Sequence, residues 1–499
     1  MIDSATLSDR HARAVAGLGA APRALTIRLI ADRDAPPAVR SSLVCAGNLI
    51  CRLGGAVATI EVDTDVELIA HVSGQALRGP AVEVLAGLSL WATGGQIPVH
   101  GPRSEAPDLT VCLGPRPANY DGPIDIFAVG GGWKAWIGIE EHYPLDEAAA
   151  ETTPLGPWLA AALVAGEVFK HARRLVRGQF AADFAYSLWS GQVGTWAALQ
   201  DGPPVAGARI PPLYLVGAGA VGQGLIAVIA ECELSDVFIV TLDDDKHDGT
   251  NLNRCPLAGT ADVSRPKVEV IKRRRREAGL GGLEFDGTLT DYLRRGDRSG
   301  LPDVLSRAEA EDRYEIVVSA VDKNTSRQDI QGLAPDLVVG ASTVGLSAKS
   351  NLYRMAPGKA CLGCHNPAEK DGDRLRKVEQ EVRSMTEVEL RAHLDGRVEN
   401  VDAIVAYLQG GEKCGELGEA QFRNFATATE ADFSVSFVSM AAALLLAARL
   451  LSATVFDADA PDRASMATLN FRNLEAGDDR ISQDQSCSHC RTAGRLSAA

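Results

Sequence analysis

The sequence of 499 residues has no excess of positive charge. Lysine and arginine number 50 against 65 acidic residues, which gives a formal net charge of -15 at pH 7. Nucleic-acid binding requires a basic surface opposite the phosphates, so this balance argues against nucleic acid as the main partner. One basic run, Lys272 to Arg276, is predicted to be the solvated face of a helix.

Apolar segments that could enter a membrane or a secretion channel are also scarce. The N-terminal segment contains no apolar stretch of the signal-peptide type, so we expect no signal peptide. The most apolar run, Val438 to Leu451, is too short for a membrane span and is predicted to be a buried helix. We therefore expect a cytoplasmic protein without a membrane partner, whose ten cysteines are reduced.

Aromatic residues make up only 5% of the chain, but hydrophobic residues make up 46%, which is enough for more than one core. The strongest pattern begins at Pro212, where an apolar strand ends in glycine and is followed by an apolar helix and a second strand ending in acids. This order is typical of the first unit of a doubly wound parallel sheet. Later strands are predicted at Tyr314 to Val321 and Asp336 to Ser342, with a helix from Arg327 to Leu333 between them.

The first half repeats this order but lacks the glycine turn. After its first predicted strand stand Asp32, Arg33 and Asp34 in place of glycines. We interpret residues 1–200 as a second copy of the fold that has lost its nucleotide loop; the alternative is an unrelated α/β domain. The predicted fold class is therefore α/β, with two Rossmann-like doubly wound domains of which the first is degenerate.

The remaining domain boundaries follow from this interpretation. We predict an active domain at residues 201–367 that residues 425–499 complete. Residues 368–424 are predicted to form a small helical insert and a crossover loop.

Three glycines stand at the junction between the strand after Pro212 and its helix. Gly217, Gly219 and Gly222 match the G-x-G-x-x-G pattern, which lets backbone N–H groups approach a phosphate at a helix N-terminus. Asp243 ends the next strand, where an acid accepts hydrogen bonds from ribose hydroxyls. Alone, this pattern predicts a nucleotide-binding site, and the usual ligand of such a site is NAD.

Residues beyond the second strand favour ATP over NAD. Asn251, Arg254 and Lys267 supply amide and basic groups at the phosphate end of the site. Cleavage of ATP between the α- and β-phosphates builds up negative charge that fixed cations stabilise. Asp322 follows a later strand, where a carboxylate can hold Mg2+ against the phosphates. The alternative makes Arg254, Lys267 and Arg327 ordinary surface residues.

Residues 212 to about 350 resemble the adenylation domain of the ubiquitin-activating-enzyme superfamily. The resemblance rests on GAGAVG, the acidic strand end LDDD, NLNR, RPK and VDKNTSR. It implies that Asp243 binds the ribose, that Asn251, Arg254 and Lys267 bind the phosphates, and that Asp322 holds the magnesium ion.

The superfamily pairs each active domain with a second copy, by dimerisation or by fusion to an inactive copy. The repeat in residues 1–200 fits the fused arrangement. The resemblance also implies an arginine supplied by an N-terminal helix of the second copy, for which Arg10 and Arg13 are the candidates.

Two C-x-x-C motifs are formed by Cys361, Cys364, Cys487 and Cys490. Four thiolates satisfy tetrahedral Zn2+, and members of the superfamily commonly carry a structural zinc ion with this layout. The alternative is a redox disulfide or free thiols. His365 and His489 are adjacent alternative ligands.

Cys414 lies in a segment rich in glycine and glutamate, before the predicted buried helix. Lys413 favours its thiolate, whereas Glu412 and Glu416 oppose it. The superfamily's catalytic cysteine lies in a crossover loop at this place, often after threonine, where this chain has lysine. The resemblance therefore assigns the nucleophile to Cys414. The cysteines predicted to be structural are Cys45, Cys51, Cys112, Cys232 and Cys255, of which Cys255 is the next candidate nucleophile.

The resemblance implies a two-step enzyme. ATP adenylates the C-terminus of a ubiquitin-like protein, Cys414 takes that protein as a thioester, and a conjugating enzyme receives it. The fused arrangement resembles bacterial ubiquitin-like conjugation operons, some of which act in antiviral defence against phage. The alternatives are a sulfur-carrier adenylyltransferase and a non-catalytic scaffold that binds nucleotide or a carrier protein, with an NAD-dependent oxidoreductase ranked below both.

Overall fold

The computed structural model divides the chain into two compact units. The first joins Met1–His365 to Phe433–Ala499, and the second is Asn366–Asp432. The residues that the structure describes are 23–72, 74–141, 153–175, 183–295, 297–356, 358–366, 379–380, 382–394, 398, 400–409, 422, 435–456 and 465–490.

The first half of the chain forms an eight-stranded sheet and a separate hairpin. Its strands are β1 (Leu25–Ile30), β2 (Val57–Asp63), β3 (Glu67–Val72), β4 (Gln75–Pro80), β5 (Val99–His100), β6 (Leu109–Leu113), β7 (Ile126–Gly131), β8 (Lys134–Gly138), β9 (Asp183–Ser187) and β10 (Val193–Gly194). Its helices are α1 (Pro37–Ile50), α2 (Ala81–Thr93) and α3 (Leu155–Ala172). The hairpin is the pair β3 and β4.

The second half forms another eight-stranded sheet. Its strands are β11 (Leu213–Val216), β12 (Phe238–Asp243), β13 (Gly281–Asp286), β14 (Ile316–Ser319), β15 (Leu337–Val344), β16 (Ser347–Arg354), β17 (Met466–Asn470) and β18 (Glu475–Asp479). The helices of this part of the chain are α4 (Ala220–Glu231), α5 (Lys267–Glu277), α6 (Leu289–Arg294), α7 (Asp303–Ala310), α8 (Asn324–Gly332), α9 (Leu362–His365), α10 (Glu387–Leu394), α11 (Val401–Leu408) and α12 (Ser436–Thr454). Two short 3-10 helices, Gly249–Asn253 and Thr260–Asp262, lie between β12 and α5.

The two sheets have the same topology. The strand order is β5-β2-β1-β6-β7-β8-β9-β10 in the first sheet and β13-β12-β11-β14-β15-β16-β17-β18 in the second. In each, the first five strands are parallel and the last three are added antiparallel. Strands such as β11 and β14 are buried along their whole length, as expected of a parallel sheet covered on both faces. The predicted fold class is confirmed.

The two halves share one hydrophobic core. Helix α3 precedes β9 as α12 precedes β17, and the two helices contact each other. The rings of Phe169 on α3 and Phe437 on α12 lie 5.5 Å apart, and Phe437 lies 5.0 Å from Phe471. Since residues of both halves belong to one continuous cluster, the first compact unit contains both sheets. The boundary near residue 200 therefore stays a prediction.

Helix α12 extends beyond the predicted run and spans Ser436–Thr454. By length and composition it is the one helix, among the described residues, that could cross a membrane. Yet 89% of its apolar window is buried inside the protein, as in a core helix. Its burial agrees with the prediction, although its length does not.

The basic run in helix α5 differs from its prediction. Arg274 and Arg275 are only 6% and 5% exposed. Arg274 pairs with Glu231 on α4, and Arg275 pairs with Glu284 on β13 at 2.6 Å. The prediction of a solvated face is wrong for these two residues, because acids on two neighbouring elements pair with them, whereas Arg276 is exposed as predicted.

The second compact unit has a small core of its own. Leu390 and Leu394 of α10 pack with Ile404, Val405 and Leu408 of α11. Asn400 caps α11, because its side chain accepts a hydrogen bond from the backbone N–H of Ala403 at 3.0 Å. Helices α10 and α11 thus pack against each other in this unit.

Candidate functional site

The glycine turn between β11 and α4 has no room for side chains at two of its three glycines. Gly217 has a φ of +104°, and a Cβ there would lie 2.6 Å from the carbonyl oxygen of Ala320. A Cβ on Gly222 would lie 2.1 Å from the carbonyl oxygen of Gly217. A Cβ on Gly219 would meet nothing within 4 Å, so this position faces open space. The turn thus leaves the N-terminus of α4 accessible, where helix N–H groups favour a phosphate.

Asp243, at the end of β12, contacts this turn directly. Its carboxylate accepts hydrogen bonds from the backbone N–H groups of Ala218 at 2.6 Å and Asp245 at 2.9 Å. Burial raises the pKa of Asp243, although the charge of Lys267 and the two backbone hydrogen bonds oppose that rise. The carboxylate is therefore held at the mouth of the turn.

Lys267 begins helix α5 and points to the same acids. Its Nζ lies 2.6 Å from a carboxylate oxygen of Asp245, and its side chain is 14% exposed. Burial alone would lower the pKa of Lys267, but the charges of Asp243 and Asp245 raise it above its usual value. The ammonium group is thus charged and lies beside the acids that follow β12, of which Asp243 contacts the turn.

A short 3-10 helix presents Asn251 and Arg254. Asp248 caps it, because its side chain accepts hydrogen bonds from the backbone N–H groups of Thr250 and Asn251. Arg254 follows the helix and donates to the Thr250 carbonyl and to the side-chain oxygen of Asn253, each at 3.0 Å. Asn251 is buried, at 5% exposure. The local sequence therefore fixes the direction of the Arg254 guanidinium.

Asp322 lies beyond the end of β14, the strand next to β11. Because β12, β11 and β14 are parallel, their carboxyl ends meet at one edge of the sheet. Asp322 is exposed there, and Arg327 on the following helix donates to the side-chain oxygen of Asn324 at 2.7 Å. Asp243 contacts the glycine turn directly, Lys267 is linked to Asp243 through Asp245, and Asp322 lies at the same edge of the sheet.

Two residues beneath the turn were missed by the sequence analysis. Gln223 donates from its amide nitrogen to the Ala218 carbonyl at 3.0 Å and lies 3.1 Å from Nε2 of His247. Burial, together with the positive charge of Lys267, lowers the pKa of His247 to about 4. A glutamine inside the apolar stretch of α4 was the available signal, since buried amides need hydrogen-bond partners.

The four cysteines of the two C-x-x-C motifs form one cluster, whose sulfur atoms all lie within 4.8 Å of one another. The Sγ of Cys361 lies 3.8 Å from that of Cys364 and 3.6 Å from that of Cys487, and Cys364 lies 3.3 Å from Cys490. Tetrahedral zinc with Zn–S bonds near 2.3 Å separates its sulfur ligands by about 3.8 Å. The donor set therefore fits Zn2+.

The alternative histidine ligands are placed differently. Nε2 of His489 lies 2.8 Å from the side-chain oxygen of Gln328. Neither His365 nor His489 belongs to the cluster found among the residues that the structure describes. The four thiols are thus the candidate zinc ligands.

The remaining sequence predictions concern the cysteines outside the cluster and two arginines. The buried ones are Cys45, Cys51, Cys112, Cys232 and Cys255. Burial raises the pKa of Cys51 to about 11, and those of Cys112 and Cys232 to about 12, which makes these thiols poor nucleophiles. Cys414, Arg10 and Arg13 lie outside the described residues.

Comparison with known proteins identifies the family of the part of the chain that contains this site. The model of the ThiF family matches residues 212–488, which is more than half of the chain. The chain belongs to the ThiF family. The matched range contains the glycine turn, Asp243, Lys267 and Asp322, and it starts after the first sheet.

A relative with an assigned activity is similar to this ThiF-family chain. The sulfur carrier protein ThiS adenylyltransferase of Escherichia coli (strain K12) is 26% identical over 211 residues, which cover 42% of this chain and 71% of the relative. The family and this relative confirm the superfamily named from the sequence and support an enzyme of the adenylyltransferase type.

Solved structures of E. coli MccB are also similar. The structure with MccA-N7isoASN shares 14% identity and a TM-score of 0.35, and covers 73% of this chain and 99% of that chain. The structure with AMPCPP and SeMeT MccA shares 15% identity and a TM-score of 0.35, and covers 74% and 98% respectively.

Proposed function

We propose that this ThiF-family chain adenylates the C-terminal carboxylate of a ubiquitin-like protein with ATP and then carries that protein as a thioester on Cys414. The observation that carries the first step is the contact network of the glycine turn, Asp243 and Lys267. The network combines a helix N-terminus, an acid for a ribose and a cation for phosphates.

Each residue has a role in the first step. Asp243 holds the ribose, while Asn251, Arg254 and Lys267 hold the phosphates. Asp322 holds Mg2+, which neutralises phosphate charge when bound. A carboxylate oxygen of the carrier attacks the α-phosphorus, the bond to the β-phosphate oxygen breaks, and pyrophosphate leaves.

The second step needs a thiolate. The sulfur of Cys414 attacks the carbonyl carbon of the adenylate, a thioester forms, and AMP leaves. A conjugating enzyme then receives the carrier by thiol exchange. This step rests on the position of Cys414 in the sequence, and a role in defence against phage rests on the resemblance to bacterial conjugation operons alone.

A cysteine series tests the two steps separately. The protein is incubated with ATP and small proteins that end in glycine and are encoded beside it, and the products are separated on a non-reducing gel. Cys414→Ala should keep carrier-dependent ATP–pyrophosphate exchange, because that step needs only the ATP site, and should form no thiol-sensitive adduct. Cys414→Ser should trap an ester that thiols do not remove.

Cys255→Ala is the matched control: Cys255 was the next candidate nucleophile by sequence, but it is only 2% exposed and should not react. A normal adduct with Cys414→Ala would move the nucleophile to another residue. Absence of pyrophosphate exchange in the wild-type protein would instead favour a scaffold.

A second candidate function is adenylation of a sulfur carrier, whose product passes to sulfur transfer. The relative from E. coli favours it, because that protein is named for the adenylation of the sulfur carrier ThiS. The gel separates the two candidates: a sulfur-carrier enzyme shows exchange without a Cys414 adduct, and its carrier gains a thiocarboxylate once a sulfur donor is added.

A further inference from the structure

A buried arginine of the first half reaches into the second half. Arg52 follows helix α1 and is fully buried, at 0% exposure. Its guanidinium donates to the backbone carbonyls of Leu252 at 2.6 Å, Ala258 at 3.0 Å and Pro256 at 3.4 Å. These carbonyls lie at least 200 positions further along the chain, so the contact links the first half to the second within one compact unit.

The carbonyls belong to the segment that carries the proposed phosphate ligands. Leu252 lies between Asn251 and Arg254, at the end of a 3-10 helix whose last carbonyls have no partner within the helix. Ala258 and Cys255 pack with Leu252 and with Ala220, the first residue of α4. One guanidinium thus anchors the backbone on the side of this segment that faces the first half.

Other residues of the first half hold Arg52 in this position. Asn48 accepts from its Nε at 2.9 Å and donates to the Pro256 carbonyl at 3.2 Å. The ring of Trp91 lies 5.4 Å from the guanidinium carbon. Trp91 also lies so close to Gly259 that a Cβ there would be 2.4 Å from the indole nitrogen. The wall against residues 252–259 is therefore built by two helices of the first half.

The chemistry of arginine suits this place. Its planar group has five N–H donors in a rigid fork, so it can bind several carbonyls at once, whereas a lysine ammonium is a compact point charge. Removal of the fork would take this donor away from the buried carbonyls of Leu252 and Ala258, and a buried carbonyl that loses its partner costs more than the hydrogen bond itself contributes. The segment would then shift to find new partners.

We propose that Arg52 is a positioning residue through which the degenerate first half sets the geometry of the ATP phosphate site. It acts through the backbone of residues 252–258 on Asn251 and Arg254. The inference rests on the proposed function, because it takes those two residues to bind the phosphates. It also gives the first half a task in the reaction although its own glycine turn is missing.

The test compares two nucleotides on the full-length chain by isothermal titration calorimetry. ATP has the phosphates that Asn251 and Arg254 are proposed to bind. AMP lacks the β- and γ-phosphates, so its binding should depend less on these two residues. Arg52→Met should weaken ATP binding on the order of 10- to 100-fold, as the loss of charge-assisted hydrogen bonds predicts, and should change AMP binding by less than about threefold. Arg52→Lys should also weaken ATP binding, although it keeps the buried charge. If Arg52→Met does not fold, the binding of ATP and AMP to Arg52→Lys tests the inference.

Arg173→Met is the matched control. Arg173, the residue after helix α3, is also buried in the first half, at 4% exposure, and its guanidinium lies over the ring of Phe169 on that helix. It should bind both nucleotides as the wild type does. An equal loss of ATP and AMP in a folded Arg52 variant, or no loss of either, would overturn the inference alone. If the wild-type chain binds neither nucleotide, the proposed function fails and the inference fails with it.

Discussion

The two halves share one strand order but differ where the second half forms its glycine turn. Counted from the helix starts, the third residue is Val39 in α1 and Gly222 in α4. Val39 is 2% exposed, and its side chain would lie 2.9 Å from a Cβ on Gly114, the residue after β6. In the first half the Val39 side chain thus occupies the space next to the strand end. In the second half the backbone of the glycine turn occupies the corresponding space and approaches the backbone at Ala320. A nucleotide site depends here on the helix N-terminus, whereas the topology is the same with or without it.

Two more differences separate the halves at this edge. Between the second strand and the next helix, the first half forms the hairpin β3–β4, whereas the second half forms the segment with Asn251 and Arg254. Strands β6 and β14 occupy the same place in the two sheets. Arg116 lies three residues beyond the end of β6, and Asp322 lies three residues beyond the end of β14. The first half therefore carries a cation where the second carries the proposed magnesium ligand.

The largest expected effect comes from copying the first half's valine into the second. Gly222→Val should abolish ATP binding and carrier-dependent pyrophosphate exchange, by more than about 100-fold, because its Cβ would overlap the Gly217 carbonyl. Calorimetry and exchange assays measure this. Gly219→Ala is the control for folding: it should keep the wild-type melting temperature, since nothing lies near its Cβ. Normal exchange in Gly222→Val would break the comparison.

Removal of the acid that the first half lacks should come next. Asp322→Ala should lower carrier-dependent pyrophosphate exchange by about 100-fold or more, because the phosphates lose their metal ligand. Asp329→Ala, an exposed acid on the following helix, should leave exchange unchanged. Wild-type exchange in Asp322→Ala would remove the assigned role.

The cysteine cluster sharpens the comparison, since it lies entirely in the second half. Purified protein should contain about one zinc ion per chain, as four thiolates per ion require. Cys364→Ser should lose the metal and lower the melting temperature by roughly 5 to 10 °C, because the tail at Cys487 is no longer tied to Cys361. Metal analysis and calorimetry test both statements. Four titratable free thiols and no zinc in the native protein would contradict them.

The smallest effect concerns stability in mild acid. The pKa of His247 is lowered from 6.5 to about 4 in the folded state, so the unfolded chain binds the proton more readily. Stability should therefore fall as the pH drops below about 6.5, by about 2 kcal/mol at pH 5 for this one group. Urea unfolding at pH 7.5 and pH 5 measures it, and His247→Gln should flatten the dependence. An unchanged pH dependence in the variant would contradict the assignment.

Local patterns in the sequence predicted much of this architecture. The strand ending at Gly217, the helix after it and the repeated order in the first half depend on short-range periodicity, which one sequence displays. The cysteine cluster followed from ligand spacing. Contacts between distant elements could not be predicted in the same way. Arg274 was predicted to be solvated and Arg52 was not singled out, because nothing near either residue in the sequence indicates the carbonyls or the acid that it contacts in the fold.

The shared core of α3 and α12 has a consequence for how this chain can change over evolution. In a symmetric dimer of identical copies, every substitution appears twice, so a change that helps one active site alters the other equally. In this chain each of the two packed halves has its own stretch of sequence. Corresponding positions such as Val39 and Gly222 can therefore differ within one molecule. Each half can therefore accumulate its own substitutions, provided that the apolar faces of Leu155–Ala172 and Ser436–Thr454 still match.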